Sequence, residues 1–460
     1  MGNKKNAWLK FDNTKKEEIF SFCEGYKKYI SDCKTERESI KEAIYLAESK
    51  GYRNLKNVIS AGKSLKAGDK VYYNNMDKSL ALFLIGRESI ESGMRIIGSH
   101  VDSPRLDLKP NPLYEDSELS LMETHYYGGV KKYQWVTIPL ALHGVVVKKD
   151  GTKIDVVVGE EETDPVVMVS DLLVHLASEQ QQKKATEVIA GEDLNILVGS
   201  MPLEGEEKEA VKANILKLLK EKYDFEEEDF MSAEIEIVPA GKARDLGLDR
   251  SMVAGYGHDD RICAYTSLLA LLETESTKKT SVVLLVDKEE VGSIGATGMQ
   301  SRFFENAVAE LMDRVGEYSE LKLRRALANS KMLSSDVTAA FDPNYAGAYE
   351  KKNSAFFGKG LAFAKYTGAR GKSGCNDANA EFVAWLRNVM DENDVAYQIA
   401  ELGKVDQGGG GTIAYILAEY GMEVIDCGVA LQNMHAPWEV ASKVDIFETM
   451  RGYKAFLMAE

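Results

Sequence analysis

A chain of 460 residues with 44% hydrophobic and 28% charged side chains has ample material for a core, and its length favours two domains or one large domain carrying an insertion. A formal net charge of −16 argues against nucleic-acid or anionic-membrane partners, while leaving the local sign of a binding site open. Cys23, Cys33, Cys263, Cys375 and Cys427 are scattered without C-x-x-C spacing and read as reduced thiols; no run approaches the roughly 18 apolar residues of a spanning helix, so a cytoplasmic location is expected.

Two helices are predicted first, starting near Thr14-x-x-Glu17 and Thr35-x-x-Glu38, where a hydroxyl followed three residues later by glutamate makes a capping box. Gly51 is placed to end the second. A β-like region over residues 70–86 and a short apolar strand over residues 94–98 lead to Ser99-His100-Val101-Asp102-Ser103-Pro104, with Pro104 helping to end the strand. From about Leu106 to Ala254 the texture changes to short β-like runs, such as 144–148 and 154–158, separated by turn residues. One charged helical stretch, Glu206 to Lys222, interrupts them; its pairs Glu209 with Lys212 and Lys217 with Glu221 are expected on a solvated face.

After Tyr256-Gly257-His258-Asp259-Asp260-Arg261, apolar helices and strands alternate: a helix over 263–273, a strand over 281–286 and a helix near Asn306. Such alternation predicts an α/β fold with a mainly parallel sheet. The expected boundaries are 1–105 and 255–460 for the two parts of this domain and 106–254 for an inserted β-rich domain.

The strand 281–286 runs straight into Asp287-Lys288-Glu289-Glu290-Val291-Gly292. Adjacent carboxylates at a poorly solvated strand end repel unless a cation or a shared proton compensates. Because neighbouring side chains diverge, one glutamate can bind a metal while the other faces a metal-bound water as general base. An ordinary solvated acidic turn is the alternative.

His100 and Asp102, two apart at a strand end, can share a face, so that Asp102 orients the imidazole of a ligating His100; a lone histidine is more often a satisfied core or surface residue. Asp259 and Asp260 open an apolar helix, where a carboxylate is a good cap but can also bridge two cations roughly 3.5–4 Å apart. Asp336 and His435 would complete the set. The glycine run Gly408 to Gly411, ahead of Thr412, can hold an anion or permit close packing; packing is favoured because neither a Walker lysine nor Rossmann spacing accompanies it.

In order and interval, His100-x-Asp102, Asp259-Asp260-Arg261, Glu289-Glu290-Val291-Gly292-Ser293, Ser335-Asp336 and Asn433-Met434-His435 resemble the aspartyl aminopeptidase and vacuolar aminopeptidase I family. Supporting stretches are Glu123-Thr-His-Tyr-Tyr-Gly-Gly129, Asp342-Pro-Asn-Tyr345 and Gly410-Gly-Thr-Ile413, so the similarity spans nearly the whole chain. The resemblance implies a zinc-peptidase-like catalytic domain, a mixed sheet with a parallel centre flanked by helices, and an inserted β-rich dimerisation domain. It further implies two Zn²⁺ per subunit, with His100, Asp259, Glu290, Asp336 and His435 as ligands, Glu289 as general base, Asp102 supporting His100 and Asp260 shaping the turn beside the bridge. Co²⁺ or Mn²⁺ would also suit an Asp/Glu/His site.

The family's substrates are peptides cleaved at the N-terminal residue, and its assembly is a tetrahedral homododecamer. Two positions depart from it. Many relatives carry a histidine in the inserted domain that reaches a neighbouring subunit's site, where this chain has Asp171 in Ser170-Asp-Leu-Leu-Val-His175; Asp342 likewise stands where many have histidine. An anionic aspartate cannot donate to an oxyanion, so His175, another group or the metal would serve. Lys365 and Gly410 are the remaining substrate-binding candidates. A metal-dependent aminopeptidase is therefore expected. The rival readings are a two-metal deacylase or carboxypeptidase and a catalytically silent assembly protein; a spare base beside the metals argues against the latter.

Overall fold

A computed structural model describes residues 5–460. The chain forms two compact units: the first holds residues up to Asp102, Ala243–Met434 and Glu439–Glu460, and the second holds Ser103–Lys242 and His435–Trp438.

The first unit is built on a sheet whose strands, numbered along the chain, are β1 (Arg53–Asn54), β2 (Lys70–Asn75), β3 (Ser79–Leu84), β4 (Met94–His100), β5 (Thr280–Val286), β6 (Lys331–Ser335), β7 (Leu361–Ala364), β8 (Tyr397–Ala400) and β9 (Glu423–Gly428). Their spatial order is β1-β2-β3-β5-β4-β6-β9-β7-β8. The central strands β5, β4, β6 and β9 run parallel, whereas β3 meets β5 and β7 meets β9 antiparallel. The fold is thus α/β, a mixed sheet with a parallel centre.

Alternation along the strands feeds two cores, one on each face of the sheet. Leu80, Leu82, Ile97, Val283, Leu285, Leu333 and Ile425 pack on one side with residues of the helices Glu36–Ser49, His258–Leu272 and Lys443–Met458. Ala81, Phe83, Ile96, Val282, Leu284, Met332 and Val424 pack on the other, against Phe303–Arg314 and Glu320–Ala328. Every residue of β4 and β5 is buried, which explains why their sequences read as continuous apolar runs.

The capping box of Thr35 and Glu38 forms as predicted, and Gly51, at φ +85°, follows the helix end. The first helix differs: it spans Asn13–Asp32 and is capped by Asp12, whose carboxylate accepts the Lys15 N–H, so the better acceptor two residues upstream displaces Thr14. A five-stranded sheet in the same unit, ordered Arg244–Leu246, Met252–Gly255, Glu439–Ser442, Ala430–Gln432 and Thr338–Ala339, supports the turn entering His258.

The second unit is a seven-stranded antiparallel sheet ordered Lys153–Val158, Leu140–Val147, Ala233–Pro239, Arg105–Asp116, Leu119–Tyr127, Ile196–Gly199 and Met168–Val169. Its helix spans Ala210–Tyr223; Lys217 faces Glu221 at 3.9 Å, while Lys212 turns to Glu227 at 2.8 Å.

Candidate metal centre

Three neighbouring parallel strands end together in the first unit. His100 closes β4, Asp336 follows β6 directly, and the turn Glu289–Val291 comes three residues after β5, where Val286 stands in register with His100. Polar side chains gather here because the strand ends expose backbone and charge that the apolar strand interiors cannot hold. In open α/β sheets this carboxyl edge is where ligands bind.

His100 is the centre of the cluster. Its Nδ1 lies 3.0 Å from the Asp102 carbonyl oxygen and 3.3 Å from Asp102 Oδ1, which fixes the ring from one side. Its Nε2 lies 3.2 Å from Asp259 Oδ1, 3.8 Å from Asp336 Oδ1 and 3.9 Å from Glu289 Oε2. The ring is buried, and burial alone would lower its pKa; hydrogen bonds to Asp102, Asp259 and Asp336 more than offset this and raise it well above the ordinary histidine value.

The carboxylates show the complementary effect. Burial, reinforced by Asp336, Asp259 and Asp102, pushes Glu289 up to about 8, even though His100 acts the other way. Burial and repulsion from Asp336 raise Asp260 as well. So much negative charge in so small a volume calls for a cation.

Two overlapping donor groups are formed with ligand atoms all within 4.8 Å: His100, Asp259 and Glu290, and His100, Asp260 and Asp336. One imidazole among carboxylate oxygens fits zinc, and also cobalt or manganese. Asp260 belongs to the cluster as well as to the turn, since the His100 N–H donates to its Oδ2 at 3.3 Å. Its only sequence signal is the doubled aspartate.

Asp102 does more than its spacing suggested. Its two carboxylate oxygens accept the backbone N–H groups of Glu289 at 3.2 Å and Glu290 at 3.1 Å. One buried carboxylate therefore ties the imidazole to the turn carrying both glutamates. Glu439, also buried, accepts the Asp259 N–H at 3.0 Å and was not signalled by sequence. Gly428 permits β9 to lie against Asp336, because a Cβ there would stand 2.0 Å from the Asp336 carbonyl oxygen.

His435 belongs to the second unit, where its Nδ1 donates to the Gly129 carbonyl oxygen at 3.0 Å. His175 is exposed in the turn Val174–Leu176, and the nearby Asp171 accepts from the Leu172 N–H and Gln180 Nε2 at 2.8 and 3.0 Å. Lys365 is exposed just beyond β7. Gly410 is exposed with open space at its Cβ position, whereas Gly408 and Gly409 are pressed against the carbonyl oxygens of Leu402 and Gly368 at 1.8 and 1.9 Å from a Cβ placed there. Gly408 and Gly409 thus serve close packing, and the helix after the run, Ala414–Ala418, is a single short turn.

Residues 29–457 match the family model described as aminopeptidase I zinc metalloprotease (M18). A probable M18 family aminopeptidase 1 of Clostridium acetobutylicum is 66% identical over 454 residues, covering 98% of each chain. The chain belongs to the M18 aminopeptidase family. It is a metalloaminopeptidase, a hydrolase of the exopeptidase type. The crystal structure of the M18 aminopeptidase from Thermotoga maritima superposes with a TM-score of 0.94 at 45% identity over 99% of both chains. Yeast mApe1, solved as a dodecamer, shares the fold with a TM-score of 0.77 at 20% identity, over 95% of this chain and 96% of that one. Among the described residues, no helix is long and apolar enough to cross a membrane.

The double duty of Asp102 has a measurable consequence. Asp102→Ala should weaken zinc affinity by about 10- to 100-fold, the usual cost of losing a group that orients ligands. Competition with a chromogenic chelator measures this; unchanged affinity would mean that the turn and the imidazole hold their places without it.

Proposed function

We propose that each subunit holds two zinc ions through His100, Asp259, Glu290 and Asp336, with His435 assigned to the same ligand set by the family resemblance, and that Glu289 is the general base in removing N-terminal residues from peptides. The observation that carries this reading is Glu289 itself. It lies 3.9 Å from His100 Nε2 yet stands in neither donor group, a carboxylate beside the ligand candidates and not among them.

Zinc, when bound, supplies Lewis acidity that polarises a carbonyl and lets water lose a proton near neutral pH. Glu289 takes the proton of the attacking water and returns it to the leaving amine. It must be ionised to do so, and positive charge among its neighbours opposes the burial that pushes it up to about 8. Asp102 keeps the base and the adjacent Glu290 in fixed relation through their N–H groups. A free substrate amine is drawn to the same carboxylate-rich edge, which favours cleavage at chain ends; N-terminally blocked peptides, the substrates of a deacylase, would lack that attraction.

Purified zinc-loaded protein should release p-nitroaniline from aminoacyl-p-nitroanilides and lose this activity to a chelator. Glu289→Gln should retain zinc and lose about 10²- to 10⁴-fold in kcat. Near-normal turnover in that variant would assign the base elsewhere, and no turnover by the loaded parent enzyme on any aminoacyl substrate would contradict the reading as a whole.

The second unit supports a proposal about assembly. Beside its edge strand Met168–Val169, the segment from Val166 to Leu176 exposes Val166, Met168, Leu172, Leu173, Val174 and Leu176, the last two at 66%. Exposed edges and apolar clusters of this kind are normally covered. We assign the cover to the same segment of a second subunit, in a two-fold contact of the homo-oligomer. Because yeast mApe1 is a dodecamer, the assembly proposed here is a tetrahedral dodecamer. Leu173→Asp combined with Leu176→Asp should lower the native mass measured by light scattering; an unchanged mass would remove this segment from the interface.

A further inference from the structure

At the amino edge of the central sheet, opposite the edge that carries the metal-ligand candidates, two cations stand side by side. Arg95 on β4 is in register with Lys331 on β6, and the row continues to Ser281 on β5 and Glu423 on β9. Residues in register on parallel strands share a face, so these four lie on the side of Ile97, Val283, Leu333 and Ile425, at the rim of that core. The helix Ala380–Glu392 covers them with Trp385. The Arg95 guanidinium carbon is 5.0 Å from the centre of an indole ring and Lys331 Nζ is 5.6 Å from it, with Nζ also 4.9 Å from the centre of Phe382. Phe382 stacks on Trp385 and Phe456 meets it edge-on, so the indole is held from two sides.

The two cations are unequally compensated. Lys331 pairs with Glu423. Arg95 is only 5% exposed, its Nε is buried without a hydrogen-bond partner, and it forms no ion pair among the described residues. Glu88 acts on it from further off and is already paired with Lys279 at 2.9 Å and Lys278 at 3.9 Å. Ser281, its neighbour on β5, donates its hydroxyl to the Leu457 carbonyl oxygen at 3.3 Å. Burial lowers the pKa of Arg95 against the pull of Glu88, and burial with repulsion from Arg95 lowers that of Lys331. A guanidinium stays charged even so, and a buried one without an acceptor is costly.

We infer that Arg95 and Lys331 form a binding site for a small oxyanion, with Trp385 holding the guanidinium in place. The planar fork of Arg95 matches two oxygens of one ion, and the Lys331 ammonium adds a contact from the next strand. Lys331, with 27% of its side chain exposed, opens the site to solvent. An ion bound there ties β4, β6 and the helix Ala380–Glu392 together at the edge of the sheet, and so stabilises the folded chain by mass action. Arg95 stands five residues before His100 on β4, roughly 17 Å away along the strand. The ion therefore compensates Arg95 and not the metal-ligand cluster, and the inference does not depend on the reading of the reaction centre.

The test uses the zinc-loaded holoenzyme, with sodium sulfate as the probe and sodium chloride at matched ionic strength as the reference. Sulfate should raise Tm beyond the chloride value in a saturable way and titrate calorimetrically at about one ion per subunit. Exclusion of sulfate from protein surfaces also raises Tm, but without saturating. Arg95→Met and Lys331→Met, which keep the apolar stems over Trp385, should each weaken sulfate binding about tenfold, as expected for one lost charged hydrogen bond. Zinc content and aminopeptidase activity should stay at the parental level in both, and Lys331→Met provides the test if Arg95→Met does not fold. A sulfate effect that does not saturate overturns the inference, and so does parental affinity in the folded variants, the result expected if sulfate sits at zinc instead. A fall in the native mass of Arg95→Met by light scattering also overturns it, because the acceptor would then be a carboxylate of a neighbouring subunit.

Discussion

Carboxylates crowded around one imidazole nitrogen constrain everything else in this molecule. Asp259, Asp336 and Glu289 bring oxygens to within 3.2–3.9 Å of His100 Nε2, and Glu290 and Asp260 complete the donor groups that Asp259 and Asp336 form with His100. Left to themselves these groups respond by protonation, which is what the raised His100 and Glu289 values express. Bound cations provide the alternative compensation, and an aminopeptidase of the zinc metalloprotease family is the function in which that arrangement makes chemical sense.

Holding like charges together requires a rigid frame. The central strands supply it by being buried throughout and packed on both faces, so the strand ends cannot splay apart to relieve repulsion. Asp102 then locks β4 to the turn after β5, and the backbone contact of Asp336 with Cys427 locks β6 to β9. These fixings are hydrogen bonds between neighbouring parallel strands, which is why the order β5-β4-β6-β9 matters more to the site than any single helix.

Much of this was legible in the sequence wherever a local pattern carried it. The strand 281–286 running into Glu289-Glu290, the His100-x-Asp102 spacing at a strand end, and the doubled aspartate at 259–260 are each contained in a few residues, and their order along the chain carried the family. What depended on strand order was hidden. Nothing near Asp102 shows that it accepts the Glu289 and Glu290 N–H groups, because those residues become its neighbours only when β4 and β5 pair. Glu439 was hidden for the same reason, acting on a segment far away in sequence. The helix start at Asp12 instead of Thr14 reflects a smaller ambiguity, two acceptable caps competing two residues apart.

The most direct test of the central claim is anomalous diffraction at the zinc edge from crystals of the zinc-loaded protein. The account requires two zinc peaks per subunit, with Asp259 contacting both and His100, Glu290 and Asp336 among the ligands at about 2.0–2.2 Å, while Glu289 stays out of direct contact. A single peak, or peaks remote from His100 in fully loaded and active protein, would contradict it.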